Sequence, residues 1–157
     1  IDGLKIGIVG DLKYGRTVYS ILHGLGNYDV DVRLISPESL RIRSDSTYEI
    51  KKKLDFTETS DIEDHLDELD VLYVTRIQKE RFPDEEEYLK VKGSYVVGLD
   101  MLKRMKDDAI ILHPLPRIDE ISADVDKTKN AKYFEQAEYG KHTRSALLGM
   151  ILNENSF

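Results

Sequence analysis

The 157-residue sequence contains no cysteine. That absence excludes a disulfide framework, a thiol nucleophile and any cysteine-based zinc or iron–sulfur centre, and it fits a reducing compartment such as the cytoplasm. Long apolar runs are missing as well. Stretches such as Ala109-Ile110-Ile111-Leu112 fall far short of the roughly 20 residues that span a bilayer, and no signal peptide is visible. Positive charge is in deficit, with 23 Lys+Arg against 30 Asp+Glu and a formal net charge of −7. A basic field for nonspecific nucleic-acid binding is therefore absent, and neither nucleic acid nor membrane is expected as a partner. An anionic ligand would need cations clustered locally against that overall charge. Gly7, Gly10 and Gly15 do not form G-x-G-x-x-G and no G-K-[ST] follows them, which disfavours a nucleotide or dinucleotide site. An initial methionine is lacking too: the chain opens Ile1-Asp2-Gly3, and the expectation is a piece of something longer.

What is present is an ordinary globular composition, 40% hydrophobic and 34% charged, enough for one domain with a full core. β-type runs alternate with helical patterns. Leu4–Val9 reads as a strand ending at Gly10-Asp11, followed by a helix over Thr17–Leu25 with Val18, Ile21, Leu22 and Leu25 at helical spacing. Val30–Ile35 is a second strand. Ser46-x-x-Glu49 and Ser60-x-x-Glu63 are capping-box patterns, the first ahead of Ile50–Leu54 and the second opening a helix through Leu69. Val71–Val74 is the most apolar short run and predicts a fully buried central strand. Tyr95–Val97 and Ala109–Leu112 are further strand candidates, with Asp100 placed to cap a short helix through Met105. Tyr133–Glu138 and a helix from about Thr143 to Leu152 finish the chain. Strands separated by helices predict a doubly wound α/β fold, Rossmann-like, with a mainly parallel sheet covered by helices on both faces.

In such sheets ligands bind outside the carboxyl ends of the strands. Three segments occupy that position: Gly10–Thr17, Thr75–Arg81 and His113–Arg117. Each carries an arginine, the side chain that grips carboxylate or phosphate through two parallel hydrogen bonds. Together they predict a site for a small molecule with several anionic groups. Other readings stay open at this level. The first segment is more commonly a generic βα turn than a phosphate cradle, Arg76 and Arg81 are equally ion-pair partners of Glu80 or of the acidic run 84–87, and His113 is more commonly a satisfied structural histidine. His23, His65 and His142 show no metal spacing, and Lys51-Lys52-Lys53 reads as an exposed helix face.

The strings Gly10-Asp11-Leu12-Lys13-Tyr14-Gly15-Arg16-Thr17-Val18, Thr75-Arg76-Ile77-Gln78-Lys79-Glu80-Arg81 and His113-Pro114-Leu115-Pro116-Arg117-Ile118-Asp119-Glu120-Ile121 resemble the catalytic chains of aspartate carbamoyltransferases. Asp124–Thr128 and Tyr133–Ala137 continue the resemblance. It covers essentially all of residues 1–157 as the C-terminal, aspartate-binding domain. The related ornithine carbamoyltransferases carry a Ser-Met-Gly loop and a His-Cys-Leu-Pro segment; this chain has no Ser-Met-Gly, and Pro114 stands where that cysteine would be. Aspartate also brings a second carboxylate for arginine to pair, where ornithine brings an ammonium.

The resemblance implies transfer of a carbamoyl group from carbamoyl phosphate to the amine of L-aspartate, a step of pyrimidine synthesis, without metal or cofactor. It implies that Arg16 and Arg76 bind the aspartate carboxylates with support from Gln78. Leu115 and Pro116 would accept hydrogen bonds at their backbone carbonyls from carbamoyl phosphate and the incoming amine, with a cis bond between them, His113 and Pro114 supporting the segment. Lys79, Glu80, Arg81 and Glu87-Tyr88 fall in the family's mobile closing loop, here one residue longer between Arg81 and Glu87. The family's Ser-x-Arg-Thr-Arg phosphate motif does not occur, so the N-terminal carbamoyl phosphate domain is expected to be a separate half preceding Ile1, and this domain alone is expected to be inactive. A helix over 143–153, with Ala146, Leu147, Met150 and Ile151, is expected to pack on that half. Family chains form homotrimers with shared active sites, in many organisms joined by zinc-containing regulatory chains that respond to nucleotides. The competing expectation is a noncatalytic aspartate-binding module on the same fold.

Overall fold

The computed structural model describes residues 1–152. Five strands, β1 (Lys5–Val9), β2 (Asp31–Ile35), β3 (Phe56–Thr59), β4 (Val71–Val74) and β5 (Ile110–Leu112), form one sheet in the order β3-β2-β1-β4-β5. Every pairing is parallel. The helices are α1 (Arg16–Leu25), α2 (Ser44–Lys51), α3 (Glu85–Val91), α4 (Leu99–Leu102) and α5 (Tyr133–Leu152). The α/β doubly wound expectation is met. The chain builds outward from β1 to β3, then returns to the other side of β1 to lay down β4 and β5. β1 and β4 are therefore neighbours whose connections run to opposite sides, the switch point at which open sheets bind ligands.

The strands' two-residue period divides the interior. Ile6, Ile8, Val32, Leu34, Val71 and Tyr73 face one core, closed by Val18, Leu22 and Leu25 of α1 and Ile50 of α2. Val9, Ile35, Leu72, Val74 and Ile111 face the other, closed by Ile62, Leu66, Leu69, Met105, Val125 and Tyr133. All four residues of β4 are buried, as a strand with a neighbour on each side and layers on both faces requires. The central strand itself is β1.

Several elements differ from the sequence reading. Residues 60–69 form successive turns with no helix, although Ile62, Leu66 and Leu69 at helical spacing are all buried. There Thr59 Oγ1 accepts from Asp61 N–H and Asp61 Oδ1 from Glu63 N–H, so local side-chain turns displace the expected cap. α2 begins at Ser44, which puts Ser46 inside the first turn, where its hydroxyl donates to Asp45. Asp100 lies within α4, paired to Lys103, and Gly98 takes the capping position. Tyr95–Val97 contributes only the bridge Val97–Ile121. β3 is an added edge strand; its sequence Phe-Thr-Glu-Thr buries only the phenylalanine and shows no apolar run. The last two expected segments are one continuous helix, α5. Residue 153 of the expected 143–153 helix lies outside the described residues.

Candidate active site

The loops leaving β1 and β4 are laced together because Gly10 allows it. Gly10 has φ +119°, and a Cβ there would stand 2.2 Å from the Thr75 carbonyl oxygen, so only glycine permits the approach. Thr75 donates its N–H (2.8 Å) and its hydroxyl (3.0 Å) to the Val9 carbonyl. The same hydroxyl accepts from Asp11 N–H at 3.0 Å. Asp11 is fully buried; its Oδ1 accepts from Tyr14 N–H at 2.8 Å and shapes the turn that delivers Arg16 to the start of α1. Burial raises its carboxyl above the usual range, against the lowering pull of the Tyr14 and Lys13 N–H groups and of Arg81 and Lys13.

The loop after β4 closes over the same point. Arg81 donates from Nη1 to the Tyr14 carbonyl at 2.6 Å and from Nε to Gln78 Oε1. The Phe82 ring stands edge-on between Tyr14 and Tyr88, at centroid distances of 5.8 and 5.6 Å. Arg76 donates to Glu80 at 2.8 Å, and Lys79 pairs with Glu85.

After β5 the backbone turns sharply. The Leu115–Pro116 peptide is cis, and Leu115 has φ +52°, a left-handed conformation costing about 1–2 kcal/mol for an L-residue with a side chain. Its N–H donates to Nδ1 of His113 at 2.8 Å, and His113 is buried. Downstream, Arg117 forks onto both oxygens of Asp126 at 2.5 Å each and donates to the Tyr133 hydroxyl at 3.0 Å, its guanidinium 5.4 Å from the Tyr133 ring centroid. The Arg117 fork, set against burial, holds the Asp126 carboxyl below the ordinary range. Burial and then Asp126 push the Tyr133 hydroxyl up to about 12.

Around these loops lies a cavity of about 250 Å³. Arg16, Arg76 and Arg81 line it with Gln78 and the whole of His113–Pro116, and no carboxylate is among its lining residues. The first turn of α1, which also borders it, holds no acidic residue, so the helix's positive end adds to the same field. A chain of net charge −7 thus carries a local concentration of three guanidinium groups beside a run of backbone carbonyls. Of the expected site residues, Lys79 and Glu80 stand off the cavity, Glu80 holding Arg76 from outside. Both open readings of Arg76 therefore apply, since it is an ion-pair partner of Glu80 and also a cavity residue. Glu120, to which sequence reading assigned no role, accepts from His113 Nε2 at 2.7 Å. Its only sequence signal is an acidic residue seven positions after a histidine, too loose a spacing to read.

An α/β domain with an arginine-lined cleft at its switch point is the class these features define. A family model described as aspartate/ornithine carbamoyltransferase, Asp/Orn binding domain, matches residues 2–151, and the chain belongs to that family. The aspartate carbamoyltransferase catalytic subunit of Nitrosopumilus maritimus (strain SCM1) is 89% identical over 157 residues, covering 100% of this chain and 51% of that protein. That of Thermococcus kodakarensis is 57% identical over 153 residues, covering 97% and 49%. Among solved structures, the catalytic subunit of M. jannaschii aspartate transcarbamoylase superposes with a TM-score of 0.88 at 48% identity, over 98% of this chain and 52% of that one. Trypanosoma cruzi aspartate transcarbamoylase in complex with N-(phosphonacetyl)-L-aspartic acid gives 0.85 at 34% identity, over 94% and 49%. The chain spans about half the length of the curated relatives it matches.

Proposed function

We propose that this domain is the aspartate-binding half of an aspartate carbamoyltransferase catalytic chain. The observation that carries the reading is the convergence of Arg16, Arg76 and Arg81 with the Leu115–Pro116 backbone on one carboxylate-free cavity. Arg16 and Arg76 take the two carboxylates of L-aspartate, and Gln78 supports that grip. The neutral α-amine attacks the carbonyl carbon of carbamoyl phosphate; the carbon–oxygen bond to phosphate breaks and the departing phosphate takes up the amine proton. The carbonyls of Leu115 and Pro116 accept from the carbamoyl amide and the amine, which aligns the two reactants. Such alignment contributes about 7–11 kcal/mol to a two-substrate reaction and needs no nucleophile of the protein. Lys79, Glu80 and Arg81, with Glu87 and Tyr88, close the site, and the phosphate is held by a second domain.

The carbamoyl phosphate domain docks on α5. Leu147, Leu148, Met150 and Ile151 are all more than half exposed on that helix, an apolar strip that fits an interdomain surface. The assembled chain works as a cytoplasmic homotrimer, with zinc-containing regulatory chains as further partners in this reading. Among the described residues no helix is long and apolar enough to cross a membrane. The test is a carbamoyl transfer assay on the two-domain chain and on this domain alone, with native mass measured in parallel. Turnover by the longer chain, assembling in multiples of three, supports the reading. Aspartate binding without turnover by the longer chain overturns it in favour of a noncatalytic module.

A further inference from the structure

The segment Pro114-Leu115-Pro116 lines the cavity and offers backbone carbonyls but no free N–H. Two of its residues are prolines, which have none. The third N–H, that of Leu115, is consumed by His113 Nδ1 at 2.8 Å. A backbone N–H can only donate, so Nδ1 carries no proton and the ring proton sits on Nε2, facing Glu120 Oε1 at 2.7 Å. Both partners are buried, with side-chain exposures of 1% and 8%. Burial alone would raise the Glu120 carboxyl, but the His113 hydrogen bond and backbone N–H groups outweigh it and keep the group ionised. Oε2 of Glu120 accepts from the N–H groups of Ile118 and Asp119 at 3.2 Å each, closing the loop on itself. His113 N–H is tied to Gln136 Oε1 of α5 at 2.9 Å.

We infer that the buried His113–Glu120 pair is a positioning device that makes this wall of the cavity acceptor-only and thereby selects a substrate presenting an amide or amine there. Through Leu115 N–H the pair orients the peptide planes on either side and removes a donor that would otherwise attract the phosphate end of a carbamoyl phosphate molecule into the wrong place. Both residues act through the Leu115 backbone. The inference rests on the proposed function.

Two variants of the two-domain chain separate the roles of the ring nitrogens. His113→Asn places an amide oxygen near the Nδ1 position and can still accept from Leu115 N–H. His113→Gln reaches Glu120 but leaves that N–H free. The probes are carbamoyl phosphate and acetyl phosphate, which has methyl in place of the amide nitrogen. His113→Gln should weaken carbamoyl phosphate by about tenfold, the value of one or two neutral hydrogen bonds, while acetyl phosphate inhibition barely moves. His113→Asn should restore most of the discrimination. Equal weakening of both phosphates, or identical behaviour of the two variants, overturns the inference. Nitrogen-15 spectra of the unmodified chain test the pair independently: a pyridine-type Nδ1 and a pyrrole-type Nε2 for His113 are expected, and the reverse assignment overturns it. An unmodified chain without turnover overturns the proposed function, whereas the nitrogen assignment stands or falls separately.

Discussion

Arg76 donates from Nη2 to Glu80 Oε1 at 2.8 Å, four residues further along the same loop. The side chains differ in setting: Arg76 is 21% exposed and Glu80 63%. The guanidinium lies in the cavity wall and its partner at the rim. An ion pair with an exposed partner contributes only about 0.2–1 kcal/mol. A substrate carboxylate offering two parallel hydrogen bonds can therefore compete for Arg76 at little cost. In the ligand-free protein Glu80 works as a tether that holds the guanidinium near its working position.

Removing Arg76 should consequently damage aspartate use far more than carbamoyl phosphate use. Loss of one partner from a desolvated charge pair costs about 2–5 kcal/mol. Arg76→Ala in the two-domain chain should lower kcat/KM for aspartate by roughly thirtyfold or more, with a much smaller change in carbamoyl phosphate affinity. Lys52→Ala, which removes an exposed cation that pairs with Glu49 and lies over the Tyr48 ring, away from the cavity, is the control and should change almost nothing. Steady-state kinetics with each substrate varied in turn decide the matter, and unaltered aspartate kinetics in Arg76→Ala would sink the assignment.

Gly10→Ala should destabilise this domain by about 2–4 kcal/mol. The added methyl would meet the Thr75 carbonyl oxygen at 2.2 Å, and the residue is held at φ +119°. Relief requires the β1 and β4 loops to separate, which would break the Thr75 hydroxyl bridge between Val9 and Asp11. Urea unfolding of the domain measures the loss. A change under about 0.5 kcal/mol, the range of ordinary surface substitutions, would mean that the two loops are not locked together as described.

The Arg117–Asp126 fork anchors the far end of the cavity-lining loop after β5. Asp126→Asn keeps the shape, removes the charge and leaves a part-buried guanidinium without its counter-ion. A destabilisation of about 1–3 kcal/mol is expected, read as a lower thermal midpoint with unchanged secondary structure. Equal stability of the variant would assign Arg117 to packing on the Tyr133 ring alone.

Much of this organisation was legible because it rests on short-range pattern. Val71–Val74 is buried throughout, and a strand of that kind announces itself as an unbroken apolar run. The convergence of the three loops was legible from topology, since loops at strand carboxyl ends meet whatever their sequence; Arg16, Arg76 and Arg81 line one cavity, but Arg117, the arginine expected from the third loop, turns away onto Asp126. What escaped reading depended on tertiary choices. β3 is hydrogen-bonded to β2 at the sheet edge, with Thr57 and Glu58 exposed. Its strand character comes from its neighbour more than from its own residues. Residues 60–69 have the spacing of a helix because Ile62, Leu66 and Leu69 must reach one core, yet the backbone there closes as turns, His65 N–H donating to the Ile62 carbonyl and Glu68 N–H to that of His65, each three residues back. The Glu120 role was invisible because only the folded loop brings it to His113.

At the opposite end of the sheet Glu68 joins Lys5 (2.9 Å), His65 (2.8 Å) and Arg33 (3.4 Å). The hydrogen bonds from Lys5 and His65 lead, and the charge of Arg33 adds to them, lowering its carboxyl from 4.5 to about 2. A depressed folded-state value means that ionised Glu68 stabilises the fold above the ordinary carboxylate range, with the benefit lost as pH falls from about 4.5 toward about 2. After allowance for partial exposure and salt screening, the contribution is about 1–2 kcal/mol. Glu68→Gln should therefore reduce stability at pH 7 and make little difference in strong acid. Unfolding free energies of both forms across that range test it; a constant difference at all pH values would remove the charge from the explanation.

The second half of α5 offers the sharpest test of the domain's larger context. Every described residue after Gly140 is exposed, including Leu147, Leu148, Met150, Ile151 and Leu152. A side chain already in water contributes little to the stability of the domain that carries it, so Met150→Glu should change the unfolding free energy of this domain by less than about 0.5 kcal/mol. It should also reduce self-association, because a charge interrupts the apolar strip. In a two-domain chain the same substitution would place an unpaired carboxylate in the proposed interface, at a cost of several kcal/mol. Sedimentation and thermal unfolding of both lengths separate these effects. A large loss in the longer chain beside none in the shorter identifies the strip as the interdomain surface. Equal, small effects in both would mean that the strip is covered by something other than the preceding half.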